Sequence, residues 1–270
     1  MLSETESELI YRECTKKKAG IAKVSILYGD SKPAYERALR THEEHNRLHC
    51  YSMRLLRTPI LDGYWTKPAY ILSVLLDELG KPVDERLRWL MWFDADTVIL
   101  NYKLPLEMFL PPEDDPSFND VHLLVTHDLN GFNNGVFPIR VSSLAVELLA
   151  DIVAYRDFRG DTNLAHQDQT AMANMLQESK FSKHVINVPQ RWFNAYKSWD
   201  NKELQPDQVH PGDLLVHFAG IGDREKNINR SCELSEMHDP EWDIDATYTA
   251  YPREVSEFWA SVKEERLEQQ

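Results

Sequence analysis

The sequence predicts an α/β fold: a single Rossmann-like, mainly parallel sheet flanked by helices. Three observations predict it. Short β-branched or apolar runs alternate with helical patterns through the first half of the chain. A length of 270 residues suits one large α/β domain, or two small ones, and is enough to bury a core. A composition with 42% hydrophobic and 27% charged residues is that of a globular chain and not of a disordered one.

Each element has its own signal. IAKVSILY (21–28) reads as a buried strand that stops at a Gly29-Asp30 turn. PAYERALRTHEEHNRLH (33–49) reads as a helix with Pro33 in its first turn, where a missing N–H costs nothing. CYSMRLLR (50–57) is a second strand, and 65–79 a second helix, closed by Gly80 and Pro82. LRWLMWF (87–93) is a third strand, LEMFL (106–110) a helical turn, PPEDDPSFND (111–120) a loop and VHLLVTH (121–127) a further strand. GVFPIRV (135–141) reads as an edge strand or bulge, because Pro138 cannot donate to a ladder. SSLAVELLADIVAYR (142–156) is an amphipathic helix capped by Ser142 or Ser143, and HQDQTAMANMLQES (166–179) is another helix. HVINV (184–188) and LLVHF (214–218) are late strands.

Composition excludes several functions. The formal net charge is −14, and Lys and Arg form only short clusters such as 16–18, which argues against nucleic acid and anionic membranes. Cys14, Cys50 and Cys232 are too few and too scattered for a disulfide framework, and no zinc-type spacing is present. No apolar run approaches the ~20 residues that span a bilayer. The start, MLSETESELIYREC, is acidic and unlike a signal peptide, so the chain reads as soluble, with an anchor on a longer precursor left open.

The chemistry concentrates in RWLMWFDADTVILN (88–101), where an apolar strand ends abruptly in Asp94 and Asp96. In an extended segment residues i and i+2 point the same way, so both carboxylates would reach one hard cation. A strand cap in a solvated turn is the plain alternative. Context favours the cation: the flanking residues are apolar, and half-burying two carboxylates without a partner costs several kcal/mol, roughly. In open α/β sheets ligands also bind at the carboxyl ends of strands. D-A-D-T equally matches the D-x-D-x-T of haloacid-dehalogenase-like phosphatases, with Asp94 as nucleophile. That class wants a later acidic pair, for which GDREKN (222–227) offers Asn227 in place of the second Asp, and it carries the motif on its first strand.

Alongside the D-x-D stand YWTKPAYILSVL (64–75), GFNNGVFPIR (131–140), HQDQTAM (166–172) and VHFAG (216–220). In this order and spacing, from about Val24 to Gly220, the chain resembles glycosyltransferase family 34, the fungal α-galactosyl- and α-mannosyltransferases and plant xyloglucan xylosyltransferases. The resemblance implies a GT-A fold, a nucleotide-sugar donor (UDP-sugar before GDP-sugar), Mn²⁺ or Mg²⁺, retention of anomeric configuration and a glycan acceptor. It implies a GT-A catalytic domain over 21–240, between an N-terminal extension (1–20) and a C-terminal helical tail (241–270). Golgi lumen is the location it implies; cytoplasm is the alternative.

The resemblance assigns roles residue by residue. Asp94, Asp96 and His217 would hold the metal; a core histidine is the other reading of His217. Tyr28, Gly29 and Asp30 would meet the nucleoside, and Lys67, opening a helix, the diphosphate. Asn133, Asn134 and Gly135 would line the sugar side, where amides both donate and accept, though Asn-Gly is also a hairpin signal. Gln167, Asp168 and Gln169 would lie beneath the donor sugar, with Asp168 and Gln169 as the catalytic pair. His127 and Asp128 are weaker sugar contacts, and Trp192, Phe193 and Tyr196 either stack on acceptor sugars or belong to the core. The chain departs from the plant enzymes after H-F-x-G: Ile221 and Gly222 stand where a phosphate-binding Lys is expected, leaving Arg224 or Lys226 to reach in. That loss is the one argument for a non-catalytic sugar-nucleotide-binding relative.

Overall fold

The computed structural model describes residues 14, 20–30, 32–159, 163–197, 205 and 207–268. In chain order the elements are β1 (Ile21–Ile26), α1 (Pro33–His49), β2 (Ser52–Leu56), α2 (Thr66–Leu79), β3 (Trp89–Phe93), β4 (Thr97–Ile99), β5 (Leu123–Asp128), β6 (Gly131–Asn133), β7 (Val136–Arg140), α3 (Ser143–Phe158), α4 (Asp168–Met175), α5 (Ser179–Ser182), β8 (Val185–Asn187), β9 (Leu215–His217), α6 (Arg224–Glu236) and α7 (Tyr251–Glu268). The main sheet has the order β2-β1-β3-β7-β5-β6, with β8 beside β5, and β4 pairs with β9 in a second, two-stranded sheet. β2, β1, β3, β5 and β8 run one way; β7 and β6 run the other. The expected mainly parallel α/β sheet is therefore present.

β3 sits in the middle because both its faces are covered. Leu90 and Trp92 join the core beneath α2, α3 and α4, while Trp89, Met91 and Phe93 join a second core closed by Tyr251, Val255 and Trp259 of α7. A strand buried on both faces reads as a continuous apolar run, which is what WLMWF is. A third, smaller core packs α1 and α6 on the β4–β9 pair through Ala38, Val98, Val216 and Ile228.

Two expectations are corrected. β7 is an interior strand, paired with β3 along its length. Arg140 N donates to His122 O and Val141 N to Arg88 O, so alternate residues face β5 and β3. Pro138 has the parity of Arg140, so its missing donor faces β5, where the pairing is reduced to Leu123 with Ile139. The cysteines do form a bridge: Cys14 is joined to Cys50, the left-handed residue that closes α1. A low cysteine count argues against a framework but does not exclude one pair. A third point is an addition: β4, immediately after the D-x-D, is a strand that the sequence shows only as a return to the core.

α1 carries a buried polar row against β1 and the chain that follows β4. His45 Nε2 donates to Leu104 O at 2.8 Å, which leaves Nδ1 to accept from Lys23 Nζ at 2.7 Å. His42 Nε2 donates to Thr97 Oγ1 at 2.9 Å, and its Nδ1 is buried with no hydrogen-bond partner among the described residues. Burial, reinforced by Lys23, holds both imidazoles well below their usual range, and burial does the same to the Lys23 ammonium. At the two histidines the unfolded chain thus binds more protons than the folded one once pH drops below about 6.5, the ordinary histidine value, and stability falls with it; Lys23 adds a slope of the same sign that begins at the much higher ordinary lysine value. Urea unfolding is expected to show a lower midpoint at pH 5.5 than at pH 7, with a smaller drop in a His42→Gln, His45→Gln double variant. An equal drop in both proteins would contradict the buried neutral histidines.

Candidate functional site

The two carboxylates lie in a turn between β3 and β4, not in an extended segment. The turn is pinned from three sides. Asp94 N donates to Gly135 O at 2.7 Å, Thr97 Oγ1 to Asp94 O at 2.8 Å and Phe218 N to Asp96 O at 3.0 Å. Just before it, Ser25 Oγ holds Phe93 O at 2.7 Å, one step beyond the end of the β1–β3 ladder. Convergence of the acids comes from this turn and not from strand alternation. β4 then pairs with β9 so that Thr97 lies opposite His217. Among the described residues Asp94, Asp96 and His217 form a group whose ligand atoms all lie within 4.8 Å of one another.

The imidazole is oriented by a chain of amides. His217 Nδ1 lies 2.7 Å from Asn194 Oδ1. Asn194 Nδ2 donates to Thr126 Oγ1 at 2.7 Å and to Asn133 Oδ1 at 3.0 Å, so its Oδ1 is the acceptor and His217 Nδ1 carries the hydrogen. Nε2 is then directed at Asp96 Oδ1, 3.4 Å away. A neutral nitrogen lone pair facing a carboxylate oxygen needs a cation between them, either a proton or a metal. The close approach depends on Gly135: a Cβ there would stand 2.1 Å from His217 Cε1.

Each carboxylate also has a cation of its own. Asp94 Oδ1 accepts from Trp92 Nε1 at 2.8 Å and from Lys67 Nζ at 3.0 Å. Asp96, 7% exposed, has Arg224 Nη1 3.3 Å from its Oδ2. Burial opposes charge on Asp96, but the hydrogen bond and charge of His217, joined by Arg224, hold its carboxyl below the usual range. Lys67 is anchored by Asn134 as well, through the carbonyl at 2.5 Å and Oδ1 at 3.0 Å. Asn134 Nδ2 in turn donates to Asp168 Oδ2 at 2.9 Å, and Asn134 N to Gln169 Oε1 at 3.3 Å. Asp168 is 4% exposed; burial pushes its carboxyl up, and the charge of Lys67 pulls the other way. Gln167 enters α4 with φ 45°, a strained conformation for a residue with a side chain.

A cleft of about 650 Å³ opens over these groups. Tyr28, Lys67, Asp94, Asp96 and Asn134 line it, as do Gln167, Asp168 and Gln169. Gly29 turns the chain with φ 90°, and Asp30 is exposed beyond it; neither lines the cleft. Asn133, Gly135 and His217 stand behind it and position what does line it. Trp192 and Phe193 are fully buried, so of the two readings the core one holds for them. Asp128 accepts from the Tyr196 hydroxyl and from Asn133 Nδ2 at 3.0 Å, and His127 Nδ1 lies 2.8 Å from Asn187 Oδ1. Those two residues support the amide chain and the neighbouring strand. Lys32, Tyr35, Tyr64 and His166 also line the cleft and escaped the sequence reading. Lys32 and Tyr35 flank the helix-opening Pro33 just after the Gly29-Asp30 turn, the one signal that could have marked them.

Comparison with known proteins gives the same direction. The sequence model of the galactosyl transferase GMA12/MNN10 family matches residues 113–227, which include Asn133–Gly135, Gln167–Gln169 and His217 but not the D-x-D. An α-1,2-galactosyltransferase of Schizosaccharomyces pombe (strain 972 / ATCC 24843) is 26% identical over 226 residues, 70% of this chain and 56% of the relative. A second, uncharacterised α-1,2-galactosyltransferase of that yeast is 30% identical over 164 residues, 49% of this chain and 41% of the relative. The chain thus spans about half the length of these curated relatives. The crystal structure of a glycosyltransferase involved in the glycosylation of the major capsid of PBCV-1 shares the fold, with a TM-score of 0.59, 16% identity and coverage of 78% of this chain and 98% of that one. The resemblance to glycosyltransferase family 34 and the GT-A-like α/β fold are both borne out.

The packing at Gly135 is directly testable. Gly135→Ala would drive a methyl group into His217, and overpacking of this kind costs about 1–3 kcal/mol. Denaturant unfolding of the variant is expected to show a loss in that range. Wild-type stability would mean that the imidazole is free to move.

Proposed function

We propose that the chain is the catalytic part of a retaining, metal-dependent hexosyltransferase. It moves galactose, in preference to mannose, from a nucleotide diphosphate sugar to a glycan hydroxyl and forms an α-linkage. UDP is the preferred nucleotide. The observation that carries the reading is the convergence of Asp94, Asp96 and His217 at the edge of a 650 Å³ cleft: the two carboxylates line it, and His217 stands behind them with Nε2 turned toward Asp96 by Asn194.

The donor set fits a divalent cation of the Mn²⁺ type: two carboxylates and one imidazole, the latter fixed in the tautomer a metal needs. A cation there would act as a Lewis acid on the diphosphate and stabilise it as a leaving group. The remaining work falls to this chain's own groups. Lys67 presents a fixed positive charge at the cleft floor and cannot swing away, because Asn134 grips it twice. Asp168 holds Asn134, and Gln169 holds its backbone, so the pair orders the surface under the donor sugar. The acceptor hydroxyl attacks the anomeric carbon from the face that the diphosphate leaves. The bond to the diphosphate oxygen breaks, the glycosidic bond forms, and the hydroxyl proton passes to the departing phosphate. Same-face attack is favoured over a covalent intermediate because Asp168, although it lines the cleft, is almost wholly buried and gives its Oδ2 to Asn134.

A lumenal, Golgi-type location accords with the Cys14–Cys50 bridge, since disulfides persist in oxidising compartments. Among the described residues no helix is long and apolar enough to cross a membrane.

Calorimetric titration with UDP, GDP and their sugars, with and without Mn²⁺, tests the reading. Manganese-dependent binding of one nucleotide is expected, UDP first. Asp94→Asn is expected to lower transfer by about two to three orders of magnitude, the scale for removing one preorganised charge from a reaction centre. Full transfer by that variant, or no nucleotide binding under any cation, would overturn the assignment.

A further inference from the structure

The two cations that face the carboxylates are held very differently. Lys67 Nζ makes bonds to Asp94 Oδ1, Asn134 O and Asn134 Oδ1, and its side chain is 10% exposed. Arg224, the first residue of α6, pairs with Asp96 Oδ2 at 3.3 Å and has the Tyr35 hydroxyl beside it. Its side chain is 36% exposed, lines the cleft and carries a buried Nε with no hydrogen-bond partner among the described residues. A guanidinium with five donors that makes one long ion pair, bonds the Tyr35 hydroxyl and leaves Nε without a partner among the described residues has donors to spare where it stands. It is also built to grip phosphate with two parallel hydrogen bonds.

The charges make the consequence definite. Asp94 is paired with Lys67 and Asp96 with Arg224, one side-chain cation to each carboxylate. A divalent cation on the carboxylates takes over their neutralisation and leaves Lys67 and Arg224 as surplus positive charge in a partly dehydrated cleft, which a diphosphate would neutralise. Lys67 is clamped and stays; Arg224 is free to follow the new anion.

We infer that Arg224 is an exchanging cation: it holds Asp96 before the donor arrives and passes to the donor's diphosphate when a divalent cation takes that carboxylate. Cation and nucleotide then bind cooperatively, each strengthening the other by the same factor. The inference rests on the nucleotide-donor reading above. It makes Arg224 a competitor of the metal and a ligand of the nucleotide, two roles that one substitution separates.

The test is Mn²⁺ affinity, read from the electron paramagnetic resonance of the free ion, for wild type and Arg224→Gln, each alone and with saturating UDP or GDP. In wild type a nucleotide is expected to tighten Mn²⁺ binding roughly 5- to 150-fold, the usual span of such couplings. In R224Q Mn²⁺ alone is expected to bind several-fold more tightly than in wild type, and the nucleotide effect to shrink several-fold, the remainder being carried by Lys67 and by the contact of cation and diphosphate. Unchanged or weaker Mn²⁺ binding in R224Q without nucleotide would overturn the inference, because Arg224 would not be competing for Asp96. A nucleotide effect that R224Q leaves intact would overturn the exchange while leaving the donor assignment standing. Absence of any nucleotide effect in wild type would overturn both.

Discussion

Two carboxylates stand two residues apart in one turn, Asp96 buried and Asp94 half-buried at the cleft, and the rest of the site follows from keeping them charged. Desolvation alone would drive a proton onto one of them. Around them the fold sets Lys67 on Asp94, His217 and Arg224 on Asp96, and the indole N–H of Trp92 on Asp94. These partners come from α2, β9, α6 and β3, so elements distant in sequence are committed to one small volume. The D-x-D is therefore a tertiary feature as much as a sequence motif.

Amides do the positioning. Asn194 touches His217, Thr126 and Asn133; Asn133 touches Gly135, Asp128 and Tyr196; Asn134 touches Lys67 and Asp168. A buried amide left half-satisfied is expensive, whereas one with every donor and acceptor engaged has a single orientation. The network thus sets the imidazole tautomer and the direction of the lysine together. A non-polar core would be as stable and would fix neither.

Local order was largely legible in the sequence. The first three strands, the Pro33 helix start and the Ser142 cap depend on neighbours in the chain, and periodicity and capping rules report those. The motifs also singled out Asp94, Asp96 and His217, which the fold gathers. What stayed hidden depends on long-range pairing. β4 is three residues long and pairs with β9, so the β-branched Thr97–Ile99 is too short to stand out as a separate strand from the sequence. Pro138 looked like an edge residue because the sequence cannot say that its missing donor faces a gap in the ladder. Trp192 and Phe193 resemble sugar platforms until their burial is seen. The Cys14–Cys50 bridge is invisible to a count of three.

The reversed strand explains why the site is where it is. β7 runs against β3, so the start of β7 arrives beside the end of β3, and Val136 pairs with Phe93. That places Asn133, Asn134 and Gly135, which lead into β7, next to the D-x-D that leads out of β3. Gly135 O accepts from Asp94 N, and Asn134 O accepts from Lys67 Nζ. In an all-parallel sheet the next strand would offer its carboxyl end here, and its amino-terminal loop would lie on the far side of the domain. One antiparallel insertion brings an amide-rich entry loop to a carboxylate-bearing exit. The missing side chain at Gly135 then lets the imidazole close over the junction. Strand direction, a proline whose missing donor faces the gap, and a glycine without a Cβ are three answers to one requirement: two chain segments must meet closely enough to share the Lys67 ammonium.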